Sequence, residues 1–228
     1  MVKFFHVARS YGGREVLADV SLTIGNGEAV IVSGAGGAGK TTLVRLLLGL
    51  ERPSRGSVTV DGLVVAGSAP DVLAAHRRRI GLIPQSPTLL PDRDVADNVA
   101  LAQEVAGVPA EEARQAALRT LERLGLEAMS ERRTAELSAA ERRWIAVARA
   151  LGRSEASLLV VDEPAADLGP DVASLGELLG EERELGKTVL VLSRAPELDG
   201  LGAHRVAFLD AGRITLDVAA PRTAEAAS

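Results

Sequence analysis

Short apolar runs, separated by glycine-containing or polar turns, dominate the two ends of the chain. They predict strands at residues 2–8, 15–24, 30–32, 57–60, 80–84, 157–161, 188–192, 206–209 and 213–216. The run at 157–161 is uninterrupted, which is typical of a central parallel strand covered on both faces. We expect the first strand at an edge of the sheet, within an antiparallel layer that the opening strands form.

The middle of the chain changes to helical periodicity. Helices are predicted at residues 42–48, 70–79, 95–105, 110–124, 138–151 and 171–185. Three of them make a helical subdomain at about residues 92–151. Strands that alternate with helices predict an α/β fold with a mostly parallel core sheet and right-handed crossovers. Residues 218–228 are rich in alanine and lack periodicity, so we expect a disordered tail there.

Composition narrows the class of protein. The 228 residues, 46% of them apolar, suffice for one large α/β domain. The net charge of −5 argues against non-specific binding to nucleic acid, and the absence of cysteine excludes disulfides and thiol catalysis. No stretch approaches the roughly 18 apolar residues of a membrane helix, and residues 1–10 lack the pattern of a signal peptide. We therefore expect a soluble, cytoplasmic protein.

The clearest chemical signal is a glycine-rich loop between the strand at 30–32 and the helix at 42–48. It reads Gly34-Ala35-Gly36-Gly37-Ala38-Gly39-Lys40-Thr41-Thr42. This spacing fits a phosphate-binding loop, in which glycines let backbone N–H groups wrap a polyphosphate. Lys40 would reach the terminal phosphates and Thr41 would hold Mg²⁺. A flexible turn is the simpler alternative, but such a turn does not require Gly-Lys-Thr at this offset.

Polar residues also follow two other predicted strands. Asp162 and Glu163 come directly after the apolar run at 157–161, where Asp162 would bind Mg²⁺ through water and Glu163 would accept a proton from the attacking water. The competing interpretation is an acidic start to a loop. Gln85 lies just past the strand at 80–84, and a single glutamine is usually a solvated side chain. The presence of the glycine-rich loop and of Asp162-Glu163 in the same chain supports a role for Gln85 at the same site.

Together, the order and spacing of these residues resemble the nucleotide-binding domain of an ABC (ATP-binding cassette) ATPase, over residues 1 to about 217. The resemblance implies a P-loop NTPase fold and Mg-ATP as ligand. It also implies that Tyr11 stacks on adenine, that Gln85 senses Mg²⁺ and contacts a membrane partner, and that Glu163 is catalytic. Ser138 lies where the family's signature motif contacts nucleotide, in Leu137-Ser138-Ala139-Ala140-Glu141.

A narrower resemblance concerns the cell-division branch of that family, the FtsE type. It rests on residues 1–11, 49–54 and 89–100. It implies a homodimer or heterodimer of cassettes at the inner face of the membrane, with an FtsX-like subunit or a transporter permease as partner. A DNA-repair ATPase of the related coiled-coil class is excluded because the chain has no long heptad insertion.

Several positions depart from the family pattern. Ala139 and Ala140 replace two signature glycines, Gly169 replaces an aspartate, and Arg194 replaces a histidine. The tetrad Ser138-Ala139-Ala140-Glu141 can also be explained as a capping box alone. Arg194 is either a surface residue or a fixed cation for the γ-phosphate that cannot shuttle a proton. We expect slow hydrolysis; the alternative is a degenerate cassette that acts as a nucleotide-gated structural or regulatory subunit.

The segment at 86–99 is a candidate surface for the membrane partner. Leu89 and Leu90 stand with several prolines in what the sequence predicts to be an exposed loop. The alternative is that these leucines pack under the helical subdomain.

Overall fold

A computed structural model describes residues 1–220 of the chain. Its strands are β1 (Val2–Tyr11), β2 (Arg14–Ile24), β3 (Ala29–Ser33), β4 (Arg55–Val60), β5 (Leu63–Val64), β6 (Ile80–Ile83), β7 (Leu158–Asp162), β8 (Thr188–Ser193), β9 (Arg205–Asp210) and β10 (Arg213–Ala219). The α-helices are α1 (Lys40–Leu47), α2 (Pro70–Arg78), α3 (Val95–Glu104), α4 (Ala110–Arg123), α5 (Ala139–Leu151) and α6 (Val172–Glu184). None of the helices within these residues is both long and apolar enough to cross a membrane.

All strands join one sheet in the order β5-β4-β1-β2-β10-β9-β3-β8-β7-β6. The segment from β9 to β6 is parallel, whereas β1, β2, β4 and β5 pair in antiparallel fashion. This confirms a parallel core with an antiparallel layer. The two parts meet at a single parallel register pair between β10 and β2, Arg213 opposite Asp19, which we call the seam.

The predicted edge position of β1 is wrong. β1 lies between β2 and β4, and the sheet ends at β5 and β6. β4 pairs along the other side of β1, and the inward-facing Phe4 and Val7 are buried in the core. The alternation of apolar residues shows which face of a strand is buried, but it carries no information about lateral neighbours.

Register explains why distant loops meet. β3 and β8 pair so that Ser33 lies opposite Ser193, and β7 and β8 pair so that Asp162 lies opposite Leu192. Because these strands are parallel, their carboxyl ends share one edge of the sheet. The loops that follow β3, β7 and β8 therefore converge there.

The core has three parts. β3 is buried on both faces: Val30 and Val32 belong to a cluster with α1 and the antiparallel layer, and Ala29 and Ile31 belong to a cluster with α5 and α6. The third cluster holds α3, α4 and α5 together and forms the centre of the helical subdomain. The apolar face of α5 thus connects the subdomain to the sheet.

The loop before α3 is fastened to that subdomain. Leu89 packs against its cluster, as the alternative interpretation of this loop proposed. The fully buried Asn98 accepts a hydrogen bond from the Leu90 backbone N–H at 2.7 Å and donates to the Leu90 carbonyl at 3.0 Å. Leu89 is therefore part of the packing of this region rather than a free surface residue.

The disordered tail predicted at residues 218–228 starts too early, because its first two residues belong to the last strand. β10 continues to Ala219, where Val218 and Ala219 pair with Val206 and Arg205 of β9. Backbone pairing with β9 forms this strand although its sequence has no clear alternation. Residues 221–228, the rest of the predicted tail, lie outside the described residues.

Candidate nucleotide site

The loop between β3 and α1 runs so close to neighbouring strands that two of its positions accept only glycine. A Cβ atom on Gly34 would overlap the carbonyl oxygen of Leu209. Gly39 has a φ of +109°, and a Cβ there would lie 2.5 Å from Cδ2 of Leu17. Gly39 is also the N-cap of α1, and no side-chain hydrogen bond caps that helix. The first N–H groups of α1 therefore remain available to an anion beside the loop.

Lys40 is buried beneath this loop, with only 5% of its side chain exposed. Its Nζ donates to the carbonyl oxygens of Gly34 at 2.5 Å and Ala35 at 3.1 Å. The same ammonium lies 3.1 Å from Oε1 of Glu163. The glycine-rich backbone and the acidic residue after β7 thus share one buried cation.

Asp162 ends β7 with one satisfied and one unsatisfied oxygen. Its Oδ2 accepts a hydrogen bond from Thr41 Oγ1 at 3.1 Å, whereas the buried Oδ1 has no partner. Burial raises the pKa of Asp162; the Thr41 hydrogen bond opposes this rise, the Glu163 charge adds to it, and Lys40 and Arg143 also oppose it. A nearby cation would reverse the penalty of burying this charge.

Mg²⁺ fits this arrangement. It prefers oxygen ligands and is commonly held by one or two carboxylates together with water and substrate phosphates. The unpaired Oδ1 of Asp162 and the adjacent Thr41 hydroxyl supply ligands of that kind. Within residues 1–220, no group of three or more His, Cys, Asp or Glu side chains could hold a metal by itself. A cation here would therefore take its remaining ligands from water and from a bound phosphate.

Glu163 has a φ of +52°, an uncommon conformation for a residue other than glycine. Its backbone N–H donates to the Leu192 carbonyl at 2.7 Å, and its Oε2 accepts from the Arg194 backbone N–H at 3.3 Å. The Arg194 guanidinium lies 3.8 Å from Oε1, but the Arg194 side chain is 69% exposed. That ion pair is therefore weak compared with the buried contact to Lys40.

A cavity of about 210 Å³ opens beside the loop. It is lined by Val16, Gly36, Gly37, Gly39, Lys40, Thr41, Thr42, Gln85, Glu163 and Arg194. The structure thus brings together most of the predicted phosphate-loop residues, Gln85 and Arg194. A larger cavity of about 300 Å³ lies at the amino-terminal ends of β7 and β8. Its one acid, Asp61, is already paired with Arg79 at 3.1 Å.

The other predicted phosphate-loop residues support the cavity from behind. Gly34 and Ala35 supply the carbonyls that hold Lys40, and Ala38 packs against the first core cluster.

Tyr11 and Ser138 do not line this cavity. The Tyr11 hydroxyl donates to Glu51, and the Arg9 guanidinium lies 4.6 Å from the centre of the Tyr11 ring. Ser138 is exposed at the start of α5 and forms a complete capping box with Glu141. The Ser138 backbone N–H, its hydroxyl and Arg132 together hold the pKa of Glu141 at about 2. Within this single chain, the hydroxyl and the backbone N–H of Ser138 are therefore both hydrogen-bonded to Glu141 of its own helix.

Sequence analysis missed Arg143. Its side chain is completely buried in α5 and donates to the carbonyls of Pro84, Asp162 at 3.0 Å and Glu163 at 2.8 Å. Burial lowers the pKa of Arg143, while the charges of nearby Asp167, Asp162 and Glu163 oppose that shift. The available signal was an arginine on the apolar face of an amphipathic helix, where a charged residue requires partners. Val16, which lines the cavity from β2, carried no such signal.

Comparisons with known proteins agree with this architecture. The ABC transporter family model matches residues 17–166. The chain is 40% identical over 218 residues to the methionine import ATP-binding protein MetN of Caulobacter vibrioides, covering 94% of this chain but 65% of that protein. It is 37% identical over 221 residues to the glutamate/aspartate import ATP-binding protein GltL of Escherichia coli K12, covering 95% of this chain and 90% of that protein.

A solved structure shares the fold. The ATP-binding cassette MJ0796, in a dimeric post-hydrolysis state bound to ADP and phosphate, superposes with a TM-score of 0.87 at 27% identity. The superposition covers 96% of this chain and 98% of the cassette. The sheet, the glycine-rich loop and the match over most of the chain lead to one conclusion. This chain belongs to the ABC transporter family and is an ATP-binding cassette of that family.

Proposed function

We propose that the chain is the ATP-binding subunit of a membrane transport complex, which binds Mg-ATP between the β3–α1 loop and the end of β7. One observation carries this proposal. The uncapped N-terminus of α1 and the buried Lys40 line one cavity, and Thr41 in that lining donates to Asp162, whose other carboxylate oxygen is unpaired. Donors, a cation and a carboxylate in this arrangement suit a triphosphate with its divalent ion.

Binding would rearrange the contacts of Lys40. Its ammonium would exchange the Glu163 carboxylate for phosphate oxygens while keeping the loop carbonyls. Thr41 and Asp162 would hold Mg²⁺, which supplies positive charge that offsets the phosphates. Thr42 and the N–H groups of the loop would bind the remaining oxygens. Tyr11 would provide a ring for adenine, and its bond to Glu51 fixes the orientation of that ring.

Hydrolysis would use Glu163 as the general base for water, with Gln85 beside it at the cavity wall. We propose that turnover is slow. Arg194 is permanently charged and cannot exchange a proton at neutral pH. The start of α5 already engages the Ser138 hydroxyl and two of its N–H groups in its own capping box, so that contact of Ser138 with a nucleotide on an opposing copy would compete with that box.

The membrane partner is proposed from the relatives. MetN and GltL carry import in their names, which favours a transporter permease at the inner face of the membrane over an FtsX-like subunit. The cell-division role implied by the FtsE resemblance is not supported by these comparisons. The dimeric MJ0796 cassette supports pairing of two cassettes around nucleotide. The chain spans 65% of MetN, so the cargo of that protein is not transferred to this chain.

The test is calorimetric titration of the chain with ATP in the presence of Mg²⁺. Lys40→Ala should reduce binding below detection because the buried positive charge facing the phosphates is lost. The matched control is Lys3→Ala, which removes a lysine on β1 that lies over the Phe5 ring. The control should bind as the parent does. Equal affinity in the parent and Lys40→Ala would refute the assignment of the site.

A further inference from the structure

Arg143 is the largest fully buried polar side chain among the described residues, and the reaction outlined above does not use it. It belongs to α5, the helix that starts after Ser138. Its guanidinium reaches across to the ends of two neighbouring parallel strands, donating to Pro84 after β6 and to Asp162 and Glu163 at the end of β7. One side chain therefore joins three parts of the candidate site.

We propose that Arg143 is a positioning residue that holds the Gln85 loop and the backbone of Glu163 at fixed positions relative to α5. This inference rests on the proposed function, since it concerns how the same ATP site is assembled. Arg143 does not touch the cavity; it would act only through the residues that do.

The chemistry of the guanidinium suits this role. Arginine has five N–H donors in a rigid planar fork, so one group can hold several acceptors at fixed relative positions. The hydrogen bonds of Arg143 go to backbone carbonyls, those of Pro84, Asp162 and Glu163. Arg143 therefore fixes main-chain geometry rather than neutralising one side chain.

The backbone of Glu163 needs such support. Its φ of +52° is disfavoured for an L-residue and persists only where surrounding contacts impose it. On one side, its N–H donates to the Leu192 carbonyl, and on the other its carbonyl accepts from Arg143 at 2.8 Å and from the Ala166 N–H at 3.1 Å. Removal of Arg143 leaves only the local Ala166 bond on the carbonyl side. The Glu163 carboxylate would then lose its fixed position relative to Lys40.

The link to Gln85 is through the preceding residue. Pro84 immediately precedes Gln85, and its carbonyl is held by the same guanidinium that holds Glu163. A shift of α5 would therefore displace the Gln85 loop and Glu163 together. Because α5 also packs in the third core cluster, the helical subdomain is connected to the ATP site through this side chain.

The chain contains its own probe of α5. Its single tryptophan, Trp144, is the residue after Arg143 and packs partly buried against the second core cluster. Because Arg143 connects α5 to the candidate site, we expect ATP binding to change the environment of Trp144 and hence its emission. This readout does not require ATP turnover.

The experiment compares the full chain with Arg143→Met, Arg143→Lys and the control Arg153→Met. Arg153 is a partly buried arginine just past α5 that donates to a single carbonyl, that of Arg77, at 3.4 Å. For each protein we would measure thermal unfolding, ATP affinity by calorimetry, phosphate release and the change in Trp144 emission on adding Mg-ATP.

We expect Arg143→Met to bind ATP as the parent does, to lose the Trp144 response and to release phosphate about 10²-fold more slowly, the size of loss that a displaced catalytic group produces. Arg143→Lys should recover part of the response, and Arg153→Met should resemble the parent.

Two results would overturn the inference. The first is an Arg143→Met variant with the Trp144 response and turnover of the parent. The second is a parallel fall of stability, ATP affinity and turnover in both Arg143 variants, which would indicate a purely structural residue. A parent that fails to bind ATP would instead refute the proposed function, and the inference with it. If turnover of the parent is too slow to measure, the Trp144 response decides the test.

Discussion

The N-termini of α1 and α5 both contain small residues, but they differ in whether side chains cap their N–H groups. α1 starts after Gly39, a left-handed glycine without a side-chain cap, and its first turn holds no acid. α5 starts after Ser138, whose hydroxyl and backbone are both engaged with Glu141. A helix end that binds an anion has to keep its donors free. By this criterion α1 keeps its first donors free for an anion, while α5 engages two of its donors, the Ser138 and Glu141 N–H groups, within its own capping box.

The contrast between the two helix starts extends to the other residues of the site, which fall into those that match the family pattern and those that depart from it. The phosphate loop, Thr41 and Asp162 match the family pattern. Ala139, Ala140 and Arg194 alter groups that close over the nucleotide or act during hydrolysis, according to the family resemblance. The comparison therefore predicts that binding and turnover can be separated by mutation.

The largest effect is expected from Glu163→Gln. Removal of the general base should lower phosphate release by about 10²–10⁴-fold, while ATP affinity is retained because Lys40 and the loop are intact. Phosphate release and calorimetric titration measure the two quantities. Glu184→Gln, at a carboxylate that is 73% exposed, is the matched control. Unchanged turnover in Glu163→Gln would show that Glu163 is not the base.

Two glycines of the phosphate loop should respond unequally to alanine. Gly37 has a φ of +82° with open space around its Cβ position, whereas a Cβ on Gly39 would also meet Leu17. Gly37→Ala should cost about 1–2 kcal/mol of unfolding free energy from the backbone alone. Gly39→Ala should cost a further ~1–3 kcal/mol from overpacking and should weaken ATP binding. Equal losses in denaturant unfolding would contradict the described close approach.

Restoration of the family pattern tests the other helix start. The triple variant Ala139→Gly, Ala140→Gly and Arg194→His should raise phosphate release about tenfold, equivalent to ~1.4 kcal/mol in the barrier. It should also lose up to about 1 kcal/mol of stability per glycine, because alanine favours the helix. Arg194→His alone separates the two contributions. A parent that already turns over at an ordinary rate, lost in Glu163→Gln, would show that these substitutions are tolerated.

The smallest effect concerns Asp162, whose pKa burial raises. A carboxyl with a folded pKa above its unfolded value costs stability once pH exceeds the unfolded pKa, which is about 3.9. Asp162→Asn should therefore stabilise the nucleotide-free chain at neutral pH by about 0.5–2 kcal/mol. The gain should disappear at acidic pH, where both side chains are neutral. It should be accompanied by loss of Mg²⁺-dependent ATP affinity. A gain independent of pH would rule out the buried charge as its cause.

Sequence periodicity predicted the strands and helices well, and the predicted phosphate loop, Asp162 and Glu163 do lie together at the carboxyl ends of the parallel strands. These features are local, or follow from parallel strands sharing an edge. The lateral position of β1 and the roles of Leu89 and Arg143 depend on tertiary neighbours instead. Arg143 in particular donates to the carbonyls of residues 84, 162 and 163. Every residue has a backbone carbonyl, so the sequence does not show which carbonyls Arg143 contacts.

The seam between β2 and β10 has a mechanical consequence. Beyond the register pair of Asp19 and Arg213, the antiparallel layer borders β10 mainly through the Ala18 N–H, which donates to the Gly212 carbonyl at 2.9 Å. Val16, on the layer side of this border, lines the nucleotide cavity. At this border the layer is joined to β10 by few backbone hydrogen bonds, although both belong to one sheet and the layer shares the first core cluster, and occupancy of the cavity would restrict local opening of the border. Amide hydrogen exchange at Ala18 and Asp19 should slow when ATP is added, even where the rest of β2 is already protected.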